Sequence, residues 1–183
     1  MDNGASSYRR FLEGDESAFD DIIREYRNSL TFFINRYVHD IDAAEDIAID
    51  VFMELIVYRN RYNFKTSLKT YLFMVGRSRA IDYIRRHNKF RLVEYDEVAD
   101  ELTDDYEVED TLLQDERKRV INNALSELPK DMRVAIHLVY FEELSYKEVA
   151  EIMRKTTKQI DNLLYRSKDR LRTILGKEGE LLI

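Results

Sequence analysis

Between Glu94 and Asp110 the chain carries ten acidic side chains and no Lys or Arg. The run shows no sustained 3.6-residue period and has too few apolar residues to offset the entropy of ordering, so it reads as a linker. Each flank must then bury a core of its own. The 183 residues divide into a module over 1–92, an acidic linker over 93–111 and a module over 112–183, flanks of the size that small helical domains take. Five glycines and one proline among 44% apolar and 36% charged residues favour helix throughout. The expected fold is all-α: two small helical domains joined by the linker, the C-terminal one a helix-turn-helix.

The linker also corrects the first impression of charge. The formal net charge is -7, but taking away the ten linker acids leaves +3, so the modules themselves are mildly basic and their cations cluster. Net acidity therefore does not argue against a nucleic-acid partner. With no cysteine, a disulfide framework, a thiol nucleophile and cysteine-ligated zinc are all excluded, which fits a reducing cytoplasm. "MDNGASSYRR" lacks the apolar core of a signal peptide, and no apolar run approaches the roughly 20 residues a membrane helix needs. A soluble protein without membrane insertion is expected.

In the first module, Phe19, Ile22, Ile23, Tyr26, Leu30, Phe33, Ile34 and Tyr37 recur at helical spacing. "HDIDAAED" turns the chain. A second stripe runs through Ala44, Ile47, Ala48, Val51, Phe52, Leu55 and Ile56, with Asp42 as its expected N-cap and Glu45 in the capping-box position. "RNRYNFKTS" reads as a loop, and a third helix over about Ser67 to Asn88 turns Leu68, Leu72, Val75 and Ile84 inward. Gly76 within it costs about 1 kcal/mol relative to Ala unless it permits close packing.

The second helix has an outward side of Glu45, Asp46, Ile49, Asp50, Met53 and Glu54. Ile49 and Met53 amid acids suggest a protein-docking surface, although single surface hydrophobes are ordinary. Arg77, Arg79, Arg85, Arg86, Lys89 and Arg91, with His87, crowd the third helix against only Asp82, and the loop before it offers Tyr62 and Phe64 among Asn60, Arg61, Asn63 and Lys65. Cations beside aromatic faces are the means of holding an unpaired strand. The same two aromatics suit the core at a helix end equally well.

In the second module, Val120, Ile121, Ala124, Leu125 and Leu128 form a stripe ended by Pro129, and Met132, Ala135, Ile136, Val139 and Tyr140 form the next. Ser145 with Glu148 and Thr156 with Gln159 then make two capping boxes. They bracket a helix from about Tyr146 to Met153, with only Arg154, Lys155 and Thr156 before its successor, the connection of a helix-turn-helix. In that motif the start of the second helix enters the major groove, so Thr157, Lys158, Asp161, Asn162 and Tyr165 stand where base edges would be met. Arg154, Lys155, Arg166, Lys168, Arg170 and Arg172 suit phosphates. An ordinary helical hairpin with a solvated basic face is the alternative.

Three segments in this order resemble the extracytoplasmic-function sigma factors, the small two-domain specificity subunits of bacterial RNA polymerase. "DAAEDIAIDVFMEL" resembles the family's segment that docks on the clamp helices of the β′ subunit, which implies core contacts from Asp42, Glu45, Asp46, Ile49, Asp50 and Met53. "TYLFMVGRSRAIDYIRR" is similar to the helix that, with the loop before it, melts and reads the downstream (minus-10) promoter element. That implies roles for Arg61, Tyr62, Asn63, Phe64, Lys65, Ser78, Arg79, Asp82, Tyr83, Arg85 and Arg86. The stretch from "ALSELPKDMR" to "SYKEVAEIMRKTTKQIDNLLYRSK" resembles the module that reads the upstream (minus-35) element and packs on the β flap. It implies contacts from Arg154, Lys155, Thr156, Thr157, Lys158, Asp161, Asn162, Tyr165, Arg166 and Lys168. The chain departs from the pattern at Ile49, Ile56, Tyr71, Ser78 and Arg154, where Gln, Trp, Trp, Asn and a small residue are usual.

The resemblance implies RNA polymerase core, promoter DNA and an anti-sigma factor as partners, no cofactor or metal, and no catalytic residue of the chain's own. A free-standing helix-turn-helix regulator is the alternative function; it accounts for the C-terminal module alone. An enzyme has little support: His39, His87 and His137 lie far apart, and neither an H-E-x-x-H pair nor a glycine-rich phosphate loop occurs.

Overall fold

The computed structural model describes residues 3–91 and 115–176. The acidic linker lies outside them, as does the expected start of the second module at residue 112. The chain gathers into two compact units. Among the described residues all regular structure is helical.

The first unit has four helices: α1 (Asn3–Leu12), α2 (Ser17–Val38), α3 (Ile41–Val57) and α4 (Leu68–Arg91). The α2 stripe is buried as its spacing demands, from Phe19 and Ile22 to Ile34 and Tyr37. His39 ends the helix in the left-handed conformation, its amide donating to Asn35 O at 2.9 Å. Asp40 then starts α3, its carboxylate accepting from the Ala43 amide at 3.1 Å. The N-cap is therefore Asp40 and not Asp42, which stands in the first turn, where its charge favours the helix dipole. Ala at the N3 position leaves no capping box.

Gly76 is buried where α4 crosses α2. A Cβ there would lie 2.9 Å from Leu30 Cδ1 and 3.3 Å from Ile34 Cδ1. Close approach of the two helices is what offsets its poor helix propensity. Helix α1 lies ahead of the first stripe expected from the sequence. Tyr8, fully buried, packs its ring against Phe11, Tyr62 and Phe64 at centroid distances of 5.9, 5.6 and 6.1 Å. Its hydroxyl donates to Leu55 O (2.9 Å) and Arg59 O (3.0 Å), at the end of α3 and just beyond it.

C-terminal to the linker come α5 (Asp115–Ser126), α6 (Lys130–Ile136), a π-helical turn over His137–Phe141, α7 (Tyr146–Met153) and α8 (Thr157–Leu175). Pro129 is the N-cap of α6. Of the expected α5 stripe, Ala124 and Leu128 are buried, Ile121 and Leu125 half-buried, and Val120 exposed. The stripe expected from Met132 to Tyr140 breaks at the π turn, where Glu142 N donates to His137 O at 3.1 Å. The wider winding turns Leu138 inward and leaves Tyr140 49% exposed. The same turn brings His137 Nε2 to 3.2 Å from Glu142 Oε1, both side chains buried.

Candidate nucleic-acid and protein-docking surfaces

The helix-turn-helix follows from its capping chemistry. Ser145 N donates to Glu148 Oε2 at 2.9 Å and Glu148 N returns to Ser145 Oγ at 3.4 Å. Thr156 and Gln159 close the second box, at 2.8 and 3.2 Å. Between them α7 ends in a Schellman motif: Lys155 N donates to Ala150 O and Arg154 N to Glu151 O. Ile160 and Leu164 are buried, and Leu163, Leu171 and Leu175 half-buried. Thr157, Lys158, Asp161, Asn162, Tyr165 and Arg166 all face solvent.

Three of the residues expected on DNA already have structural work. The Thr156 hydroxyl is the cap of α8. Lys155 Nζ lies 2.9 Å from Asp131 Oδ2. Lys168 is half-buried, its Nζ 5.3 Å from the centre of the Tyr140 ring, and the hydrogen bond with Tyr140 raises its pKa. The solvent-facing set on the first two turns of α8, with Arg154 and Arg166, is the part of the expected surface open to a duplex.

On α3, Asp42, Glu45, Asp46, Ile49, Asp50 and Met53 are exposed together, Ile49 and Met53 about half so. Val57, 62% exposed, extends the apolar row at i, i+4 and i+8. That spacing was visible in the sequence, although the expected face stopped short of it. Glu45 Oε1 lies 3.8 Å from Arg27 of α2.

Glu54 does not belong to this solvated face. Its side chain is 10% exposed and takes ion pairs from Arg61 of the loop and from Arg79 Nη2 of α4, the latter at 2.5 Å. Burial pushes its carboxyl up, but the hydrogen bonds from Arg79 and Arg61 outweigh that and hold it below the ordinary carboxylate value. The same hydrogen bond raises Arg79 further.

The loop between α3 and α4 is built from within. Tyr62, which the sequence allows either on a strand or in the core, is 3% exposed: its hydroxyl donates to Thr66 O at 2.8 Å and its ring packs on Tyr8, Phe64 and Tyr71. It is a core residue, because the module is small and α1 supplies Tyr8 as its neighbour. Phe64 is half-buried at φ 59°, left-handed backbone that costs a non-glycine residue about 1–2 kcal/mol. Its ring packs on Tyr62, and the guanidinium of Arg9 lies 4.9 Å from the ring centre. Asn63 Oδ1 accepts from Lys65 N at 3.1 Å, bending the loop, and Ser67 Oγ caps α4 at Thr70 N, 3.0 Å. Arg61, Asn63 and Lys65 are left at the surface.

Along α4, Arg79, Arg85 and Arg86 are exposed and Ser78, Asp82 and Tyr83 half-buried. Tyr83 stacks on His87 at 4.0 Å, and Arg85 lies 3.8 Å from Asp82. The side chains of Lys89 and Arg91 lie outside those described.

Comparison with known proteins bears on both units. The Sigma-70 region 2 family model matches residues 8–90, and the Sigma-70, region 4 model matches residues 118–171. The chain is 30% identical over 158 residues to the ECF RNA polymerase sigma factor SigM of Bacillus subtilis, covering 86% of this chain and 95% of that one. It is 27% identical over 171 residues to the RNA polymerase sigma-H factor of Pseudomonas aeruginosa, covering 87% of each. Among solved structures, the sigma factor RpoE of Bartonella quintana, in complex with the anti-sigma factor NepR, shares its fold. There the TM-score is 0.64 at 23% identity over 87% of this chain and 97% of that one. The region 2 match takes in the half that a free-standing regulator leaves unexplained. The chain belongs to the extracytoplasmic-function RNA polymerase sigma factors of the sigma-70 family, initiation factors of transcription rather than enzymes.

Proposed function

We propose that the work of this sigma factor is divided along the chain as its two units suggest. The module over 1–92 docks on the β′ clamp helices of core polymerase through Asp42, Glu45, Asp46, Ile49, Asp50 and Met53. It captures the opened minus-10 strand with the 58–67 loop and α4. The module over 112–183 reads the minus-35 element with the start of α8 and packs on the β flap, and the linker over 93–111 connects the two. The chain acts in the cytoplasm and is held inactive by an anti-sigma factor that covers these surfaces. The observation that carries this reading is the α3 face, where half-exposed Ile49 and Met53 sit among Asp46 and Asp50. A free helix exposes such a row at a cost that a partner removes.

The test is co-elution of the protein with bacterial core polymerase, beside an Asp46→Arg, Asp50→Arg double variant. Run-off transcription from a library randomised at both promoter elements completes it. Co-elution lost in the variant and enrichment of one promoter class are expected. A folded wild type that binds duplex DNA tightly and ignores a competent core would overturn the assignment.

A further inference from the structure

Glu54 joins three elements. It stands on α3 between exposed Met53 and buried Leu55, and its carboxylate pairs with Arg61 from the following loop and Arg79 from α4. Both arginines belong to the surface assigned above to the opened strand, and this inference rests on that assignment. Their side chains are 53% and 44% exposed, so solvent and ligand reach them, whereas Glu54 is nearly enclosed. Arg61 is further steered by the Tyr58 ring, 4.1 Å from its guanidinium.

A phosphodiester and a carboxylate compete for the same guanidinium donors. We infer that Glu54 is a positioning residue that acts as an internal competitor for the strand: in the unengaged protein it holds one edge of Arg61 and of Arg79 and offsets their charge, and each arginine brings its full charge and donor fork to a phosphate only by leaving it. A carboxylate that gives up either arginine loses an ion pair, so exchange opposes phosphate binding. Non-specific capture of single strands is restrained in proportion. Capture then depends on the contacts that read bases, since phosphate contacts alone carry no sequence information.

The experiment uses holoenzyme assembled from core and the full chain, on a mismatched-bubble template of the promoter enriched above. Affinity is followed against salt for wild type, Glu54→Gln and a control, Glu25→Gln. Glu25 is exposed on α2, and its change alters net charge equally without touching the node. Glu54→Gln is expected to bind the bubble about two- to fivefold more tightly than the control, the scale of an ion pair no longer in competition. Its log-log salt dependence is expected to steepen by about one unit, because no carboxylate is left to take up a cation. Affinity and slope equal to those of Glu25→Gln, or weaker binding, would overturn the inference. Should Glu54→Gln fail to fold, Glu54→Asp keeps the charge while its shorter reach loosens one arginine. Binding tighter than wild type with an unchanged slope is then expected, since the carboxylate remains, and affinity equal to or weaker than wild type overturns the inference. A wild-type holoenzyme indifferent to the bubble would remove the strand-reading assignment itself, a failure distinct from equal slopes in holoenzymes that do bind.

Discussion

The amide of Lys155 donates to the carbonyl of Ala150 at 2.9 Å, closing the last turn of α7 over a residue in left-handed conformation. That residue is Arg154, at φ 54°. A side chain there costs about 1 kcal/mol that glycine avoids. Arg154→Gly should therefore raise the stability of the C-terminal unit by up to about 1 kcal/mol, and Arg154→Val should lower it by more, in urea unfolding followed by tyrosine fluorescence. If the guanidinium serves a phosphate, the glycine variant should also bind promoter duplex less tightly. A gain in stability with a loss in affinity would mark Arg154 as kept for binding against a structural cost.

Gly76 sets how closely α4 lies on α2. Alanine gains helix propensity but meets Leu30 Cδ1 at 2.9 Å, so the two effects oppose and its net change should be small. Valine adds two further methyl groups to a closed site, and overpacking of that kind costs about 1–3 kcal/mol. Denaturant midpoints should order wild type and Gly76→Ala together, well above Gly76→Val. A Gly76→Val protein as stable as wild type would mean that the helices are not held at this distance.

These two sites show what the sequence made legible. The bounds of α7 and α8 could be read directly because each start carries a two-residue hydrogen-bonding signature, Ser145 with Glu148 and Thr156 with Gln159, that is local and nearly independent of tertiary context. The N-cap of α3 was misplaced by two residues because Asp40 and Asp42 are chemically alike. Only the backbone turn at His39 decides between them. Helix α1 escaped because ten residues with three large apolar side chains carry too little periodicity, and without it Tyr62 had no neighbour to draw it inward. The exposure of Tyr140 was illegible for another reason: a π turn changes the winding, and a fixed 3.6-residue period cannot anticipate that. Glu54 looked solvated because its partners are seven and 25 residues away, one across a loop and one on another helix.

Tyr8 ties α1 to the end of α3 and to the aromatic floor of the loop, and burial, more than the neighbouring charges, pushes its hydroxyl up to about 12. A pKa above the unfolded value near 10 favours the native state fully below pH 10. That contribution is lost as pH rises from 10 through about 12. Tyr8→Phe should lose about 1 kcal/mol at neutral pH, for a buried hydroxyl with two acceptors left unpaired. The gap to wild type should close and then reverse across pH 10–12, because the linked loss outweighs the hydroxyl's hydrogen bonds. A constant gap over that range would show that the Tyr8 phenol ionises as easily in the folded protein as in the unfolded chain.

Lys155 and Lys158 lie three residues apart in the helix-turn-helix but in different surroundings. Lys155 is half-buried against Asp131 at 2.9 Å, whereas Lys158 is exposed on the first turn of α8. A cation that exchanges an internal carboxylate for a phosphate releases fewer ions on balance than one that comes from solvent. Lys158→Ala should therefore flatten the log-log salt dependence of promoter binding by about 0.9 unit, the value for one phosphate on duplex DNA. Lys155→Ala should flatten it by distinctly less while removing a partially exposed ion pair, worth roughly 0.2–1 kcal/mol of stability. Holoenzyme binding to the enriched promoter at several salt concentrations separates the two. Equal slopes for the two variants would mean that Asp131 does not follow Lys155 in solution and that both lysines meet the duplex as free cations.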